Sequence, residues 1–140
     1  MKNILSILFT LIFISCNTAP QPLVVGKDEC YYCKMPVADT KFGAEIITEK
    51  GKFYKFDDVG CMINFLKTNL NEKEKAKNIL TVSYTNQKLL NVNECVFLKS
   101  ANLRSPMNSG IAAFESVNEA QSFLKELSGN ILTWNQLQQK

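Results

Sequence analysis

The sequence predicts an α+β domain built from two tandem ββαβ units. Short runs of β-forming residues alternate with two stretches of helical period in the order strand, strand, helix, strand, twice over. The segments KFDDVGCMINFLK and AFESVNEAQSFLK superpose without a gap at a constant offset of 58, which pairs Phe56 with Phe114, Val59 with Val117, Phe65 with Phe123 and Leu66 with Leu124. Any two amphipathic helices that follow strands share some of this likeness, so the pairing supports a duplication without requiring one. Once residues 1–15 are taken off as a leader, the remainder of the 140-residue chain is the size of one small domain, or of two very small units sharing a core.

The leader comes first. MKNILSILFTLIFISC has one lysine, then a run from Ile4 to Ile14 that is apolar apart from Ser6 and Thr10. A bilayer span needs about 20 apolar residues, so this run is too short to cross one and fits a secretory signal over residues 1–15. Phe13-Ile14-Ser15-Cys16 resembles the lipobox of bacterial lipoproteins, which marks Cys16 as the site of lipidation. An ordinary signal peptide with a cysteine near its cut is the alternative. The lipobox reading predicts a protein of the bacterial cell envelope, lipid-anchored to a membrane and facing the periplasm. Residues 16–27 then form the lipidated N-terminus and a tether, in which Asn17 to Pro22 is polar, proline-bearing and without apolar period. The domain proper covers residues 28–140, with repeat one at about 40–86 and repeat two at about 94–135.

Phe42 to Thr48 and Lys52 to Phe56 are strand candidates joined through Glu49-Lys50-Gly51, a turn suited to a hairpin. Val59, Met62, Phe65, Leu66 and Leu70 recur at helical spacing behind Asp58, which can cap the first turn. Capping accounts for the pair Asp57-Asp58 more simply than partner docking does. The charged run Glu72 to Lys77 reads as a solvated loop or helix end before a strand from Ile79 to Tyr84. In the second unit Cys95 to Lys99 and Gly110 to Phe114 are strands, and Ser116-Val117-Asn118-Glu119 has the form of a capping box opening a helix that stops at Gly129. Ile131 to Trp134 is the closing strand candidate. The net charge of +3 is modest and the lysines are scattered among acids, so nucleic acid is excluded as a partner.

The chemistry lies in the sulfur. The chain contains no histidine, yet DECYYCKMPVAD places Cys30, Cys33 and Met35 within six positions. Pro36 favours an extended Met35, and residues two apart on an extended chain share a face, so Cys33 and Met35 are expected to point the same way. Met107 sits in a turn, Arg104-Ser105-Pro106-Met107-Asn108-Ser109-Gly110, where an apolar side chain is present to pack or to bind.

Four readings compete. Zinc would use Cys30 and Cys33 as one half-site, but Cys61 and Cys95 stand 34 residues apart and make a poor second half. A thioredoxin-like dithiol belongs at the start of a helix after a strand, whereas Pro36 and a β-rich run follow here. Cys30–Cys33 or Cys61–Cys95 could be structural disulfides in an exported domain. Cu(I) selects soft thiolates and thioethers, and it is the reading that uses Met35 and Met107 as well as the thiols.

Cys33-Lys34-Met35-Pro36-Val37, Phe56-Asp57-Asp58-Val59-Gly60-Cys61-Met62 and Ser105-Pro106-Met107 leading into Gly110-Ile111-Ala112-Ala113-Phe114, in that order, resemble the NosL family. The likeness runs from about Asp28 to Leu132. It implies a lipid-anchored Cu(I)-binding metallochaperone, not an enzyme, that delivers copper to a periplasmic cuproenzyme, most often nitrous oxide reductase. It also implies a fold of two ββαβ units similar to part of the organomercurial lyase MerB, and copper on Cys33, Met35 and Met107. Cys30 would be an auxiliary ligand or a disulfide partner, and Cys61 a possible auxiliary or buried structure. Cys95 reads as a small apolar residue on a strand.

Two positions depart from the family pattern. Lys34 and Asn108 stand where the family commonly has glycine. Asparagine tolerates positive φ, while Lys34 is expected to alter the conformation or charge beside the metal. The alternative function is a thiol-disulfide oxidoreductase that keeps copper-site cysteines reduced through Cys30 and Cys33. A structural lipoprotein domain stapled by those two cysteines is a third reading.

Overall fold

The computed structural model describes residues 19–68 and 75–139. The leader, Cys16, Leu70 and the start of the charged run at Glu72 lie outside the described residues. Asp39 opens the body by accepting the Lys41 N–H at 3.0 Å, which caps a single 3-10 turn at Thr40–Phe42. The expected strand from Phe42 therefore begins later, as β1 at Ala44–Thr48. β2 at Phe53–Phe56 returns antiparallel to it through a turn whose Gly51 has φ +77°, a left-handed conformation that glycine adopts without penalty.

Helix α1 spans Val59–Thr68 and buries Val59, Cys61, Met62, Ile63 and Phe65. Strand β3, Ala76–Val82, pairs with the other side of β1. It begins earlier than the apolar run suggests because Ala76 to Asn78 already extend the ladder. A short strand β4 at Leu89–Asn91 continues the first sheet, in the order β2-β1-β3-β4. Its three residues are too few for alternation to be read from sequence.

The second unit follows the same connectivity. β5 (Val96–Lys99) lies between β6 (Ile111–Phe114) and β7 (Asn130–Leu132), with helix α2 at Val117–Leu127 between β6 and β7. Ser116 caps α2 by accepting the Glu119 N–H at 3.2 Å, and the Glu119 carboxylate accepts the Glu115 N–H at 2.9 Å. Trp134 does not extend β7. It opens helix α3, Trp134–Gln138, because Thr133 and Gln136 form a reciprocal capping box there.

Both units are thus ββαβ, and each sheet sets the first strand of its unit between the two that follow. The sheets touch where Ser83 pairs with Ala113 and the Tyr84 N–H donates to the Ala113 carbonyl at 2.9 Å. The larger core is shared, with Ile46, Phe56, Met62 and Phe65 of the first unit packing among Phe97, Ile111 and Trp134 of the second. A smaller core holds Phe42, Leu98, Leu103 and Phe114. Among the described residues no helix is long and apolar enough to cross a membrane.

The tether is shorter than its composition suggests. The Gln21 N–H donates to Glu45 Oε2 at 3.1 Å, Lys55 Nζ donates to the Pro22 carbonyl at 3.3 Å, and Leu23 is buried. Residues 24–37 then fold as a small ribbon in which Glu29 bridges Pro36 and the Val37 N–H donates to the Asp28 carbonyl at 2.9 Å.

Candidate metal centre

The tip of that ribbon is a tight turn. The Cys30 N–H donates to the Met35 carbonyl at 2.8 Å, and the Lys34 N–H donates back to the Cys30 carbonyl at 2.9 Å. Lys34 has φ +63°. The segment from Cys33 to Met35 is therefore not extended, and the expected sharing of a face does not apply to it. Lys34 thus adopts the left-handed conformation that glycine enters without steric cost, and it brings a charge, its ammonium lying 4.1 Å from the centroid of the Tyr31 ring.

The turn places its thiols against the start of α1. One ligand atom from each of Cys30, Cys33, Asp57 and Cys61 lies within 4.8 Å of every other. A thiolate–metal bond is about 2.3 Å, so two sulfurs on opposite sides of one ion stand about 4.6 Å apart, and the cluster is of a size to close on a single metal. Cys30, Cys61 and Asp57 are buried, and Cys33 is partly exposed. The Cys33 S–H donates to Asp57 Oδ1 at 3.7 Å.

Protons in the cluster are shared unequally. Donation from the Cys61 thiol pulls Cys30 well below the usual thiol range despite its burial, and the same contact holds Cys61 far above it. Burial raises Cys33 as well. Burial first, and then the neighbouring Cys30, push Asp57 up to about 7. The thiolate form is therefore favoured on Cys30, with Cys33, Asp57 and Cys61 around it.

Asp57 is thus a cluster member rather than a cap, and helix capping belongs to Asp58. Asp58 Oδ1 accepts the Gly60 N–H at 2.7 Å. The same carboxylate reaches across to the second unit, where Ser105 Oγ donates to Oδ2 at 2.6 Å, the Met107 N–H donates to Oδ2 at 3.1 Å, and Ser109 Oγ donates to Oδ1. Gly60 permits this approach, because a Cβ there would lie 2.6 Å from the Ser109 Cβ. The turn closes with the Asn108 N–H on the Ser105 carbonyl at 2.9 Å and Asn108 at φ +57°, so asparagine keeps the left-handed turn as expected.

Met35 and Met107 are exposed, at 55% and 45%. Each is attached close to the cluster. Met35 is two residues from Cys33, and the Met107 N–H binds Asp58, next to Asp57. Cys95 lies apart, buried beside the Val92 carbonyl at 3.8 Å, and burial raises its thiol to about 12. The disulfide and zinc pairings that needed Cys95 are set aside by this placement. Among the described residues the cysteines are free thiols. Asp57 as a member of the cluster and Asp58 as a bridge were not legible from sequence, since two aspartates before a helix carry no sign of what covers them.

A model of the NosL family matches residues 23–140. A crystal structure of the copper chaperone NosL from Shewanella denitrificans is similar at 16% identity with a TM-score of 0.68, over 83% of this chain and 93% of that one. A comparison with curated proteins by sequence found no match.

Proposed function

The chain belongs to the NosL family, and on that premise we propose that it is a Cu(I) metallochaperone, anchored by a lipid on Cys16 and facing the periplasm. Its cargo is passed by ligand exchange to a periplasmic cuproenzyme such as nitrous oxide reductase. The observation that carries this reading is the convergence of Cys30, Cys33, Cys61 and Asp57 within 4.8 Å under the Cys33-Lys34-Met35 turn. Soft thiolates hold Cu(I) over harder ions, and a coordinating thiol is deprotonated outright.

Cys33 is the entry ligand, because it is the partly exposed thiol of the three. Met35 and Met107, exposed thioethers attached beside the cluster, capture and release copper at the surface without a proton to exchange. Met107 is brought there through Asp58. Cys30 and Cys61 retain the ion inside.

Anaerobic titration with Cu(I) against a chromophoric chelator tests the reading, with Zn(II) as the competing ion because three thiols and a carboxylate can also form a tetrahedral site. One tightly held equivalent of Cu(I), weakened in both Cys33→Ser and Met107→Leu, is the expected result. Preference for Zn(II), or failure to compete with the chelator, overturns it. A thiol-disulfide oxidoreductase would instead cycle between reduced and oxidised Cys30–Cys33 and would lose activity on Cys30→Ser but not on Met107→Leu.

A further inference from the structure

Large apolar side chains are exposed unevenly. Of the seven so exposed among the described residues, five (Val24, Val25, Tyr31, Tyr32 and Met35) fall within residues 24–37. They sit at the two ends of one ribbon, the Val24–Lys27 turn and the Tyr31–Lys34 tip, separated by three paired residues or about 10 Å. Tyr31 is braced edge-on against Tyr54 at 4.6 Å and Phe65 at 5.5 Å, so the exposed ring rests on a rigid base. The Lys34 and Lys52 ammonium groups lie 4.1 and 5.9 Å from the Tyr31 ring, Lys27 is exposed in the turn at the other end, and Asp28 is neutralised by Lys55 at 2.9 Å. Glu29 is the exposed acid of the ribbon.

The chain's N-terminal attachment determines what this surface meets. The body is engaged from Gln21 onward, and from Cys16 to Gln21 there are five residues, which span at most about 17 Å when fully extended. Resting on the lipid anchor of the proposed function, we infer that the ribbon of residues 24–37 lies against an anionic bilayer surface, with Val24, Val25, Tyr31 and Tyr32 in the headgroup region. Tyrosine is suited to that depth, because its ring is apolar and its hydroxyl remains in contact with water. Lysines beside the rings are drawn to anionic lipid. Cys33, on the same ribbon tip, would then open along the membrane plane, which favours exchange of copper with partners held at the bilayer over partners diffusing freely.

The test uses the full lipidated chain in vesicles of phosphatidylcholine and phosphatidylglycerol containing brominated lipid, in a Trp134→Phe background. Reporter tryptophans are placed one at a time as Val25→Trp, Tyr32→Trp and, on α2 of the other unit, Val117→Trp. With the ribbon ~5–10 Å into the interface, emission from positions 25 and 32 should fall roughly twofold, with position 117 unaffected. Vesicles that float with the protein but quench none of the three, or all of them equally, overturn the inference and leave the anchor intact. Failure of the protein to float removes the anchor and the inference with it, while the Cu(I) titration remains a separate measurement.

Discussion

The helix starts of the two units occupy matching positions 58 residues apart and lie in opposite surroundings. Val59 is 0% exposed and Val117 is 46% exposed. Asp58 is buried and bridges to Ser105, Met107 and Ser109, whereas its counterpart Ser116 is an exposed cap. Cys61 belongs to the thiol cluster, and its counterpart Glu119 accepts from Thr85 and from the Glu115 N–H at the surface. The unit itself does not make the site. Chemistry arises where a ribbon from before the first unit and a turn from within the second both close over one helix start.

The largest contrast concerns the metal. Replacing Cys30 and Cys61 together by serine should weaken Cu(I) binding by at least about 100-fold, or roughly 2.7 kcal/mol, whereas Ser116→Ala with Glu119→Gln should leave it unchanged. Chelator competition on both variants decides the point, and equal loss in the two would place the ion elsewhere.

Stability separates the caps next. Asp58→Ala leaves two hydroxyls and two N–H groups without their acceptor, so urea unfolding should show a loss of about 3 kcal/mol. Ser116→Ala should lose about 1 kcal/mol, the ordinary value of an exposed N-cap. Losses of similar size would mean that Asp58 is no more than a cap.

A buried acid distinguishes the central strands. Glu45 in β1 is fully buried and its Oε1 has no hydrogen-bond partner, while β5 offers no acid. Burial raises its pKa, so the folded chain holds that proton more tightly than the unfolded chain does. Stability from Glu45 is therefore greatest at low pH and falls as pH rises through the raised value. Glu45→Gln should be more stable than the parent at pH 7, with the gap closing towards pH 4. Urea midpoints at the two pH values measure this, and a parent advantage at pH 7 would mean that the Lys55 charge outweighs burial.

The smallest effect tests the two turns. Lys34→Gly and Asn108→Gly should each stabilise by about 0.5 kcal/mol, because glycine enters the left-handed region without steric cost but loses more entropy on folding. A destabilised Lys34→Gly would assign more weight to the ammonium over the Tyr31 ring.

Periodicity made most of the fold readable. The β-forming runs of β1, β2 and β6, the helical spacing of Val59, Met62 and Phe65, and the Ser116 cap all act locally, and the elements appear where those signals stand. Trp134 was misread as strand because its apolar ring outweighed Thr133 and Gln136, whose reciprocal bonds start a helix. The site was half legible. Cys30 and Cys33 announce themselves by spacing, but Cys61 joins them across 28 residues through the packing of α1, and no local pattern encodes that distance. Asp57 and Asp58, adjacent in sequence, take different tasks because one side chain faces the thiols and the other the Ser105–Ser109 turn.

The Asp58 bridge also bears on the order of events during folding. Its acceptor bonds to Ser105, Met107 and Ser109 close loops of 47, 49 and 51 residues. Contacts of long sequence separation carry a larger closure entropy and tend to form late. The cysteines of the cluster all come from residues 30–61. The three thiols are thus joined by shorter loops than the one that brings the Met107 turn to Asp58.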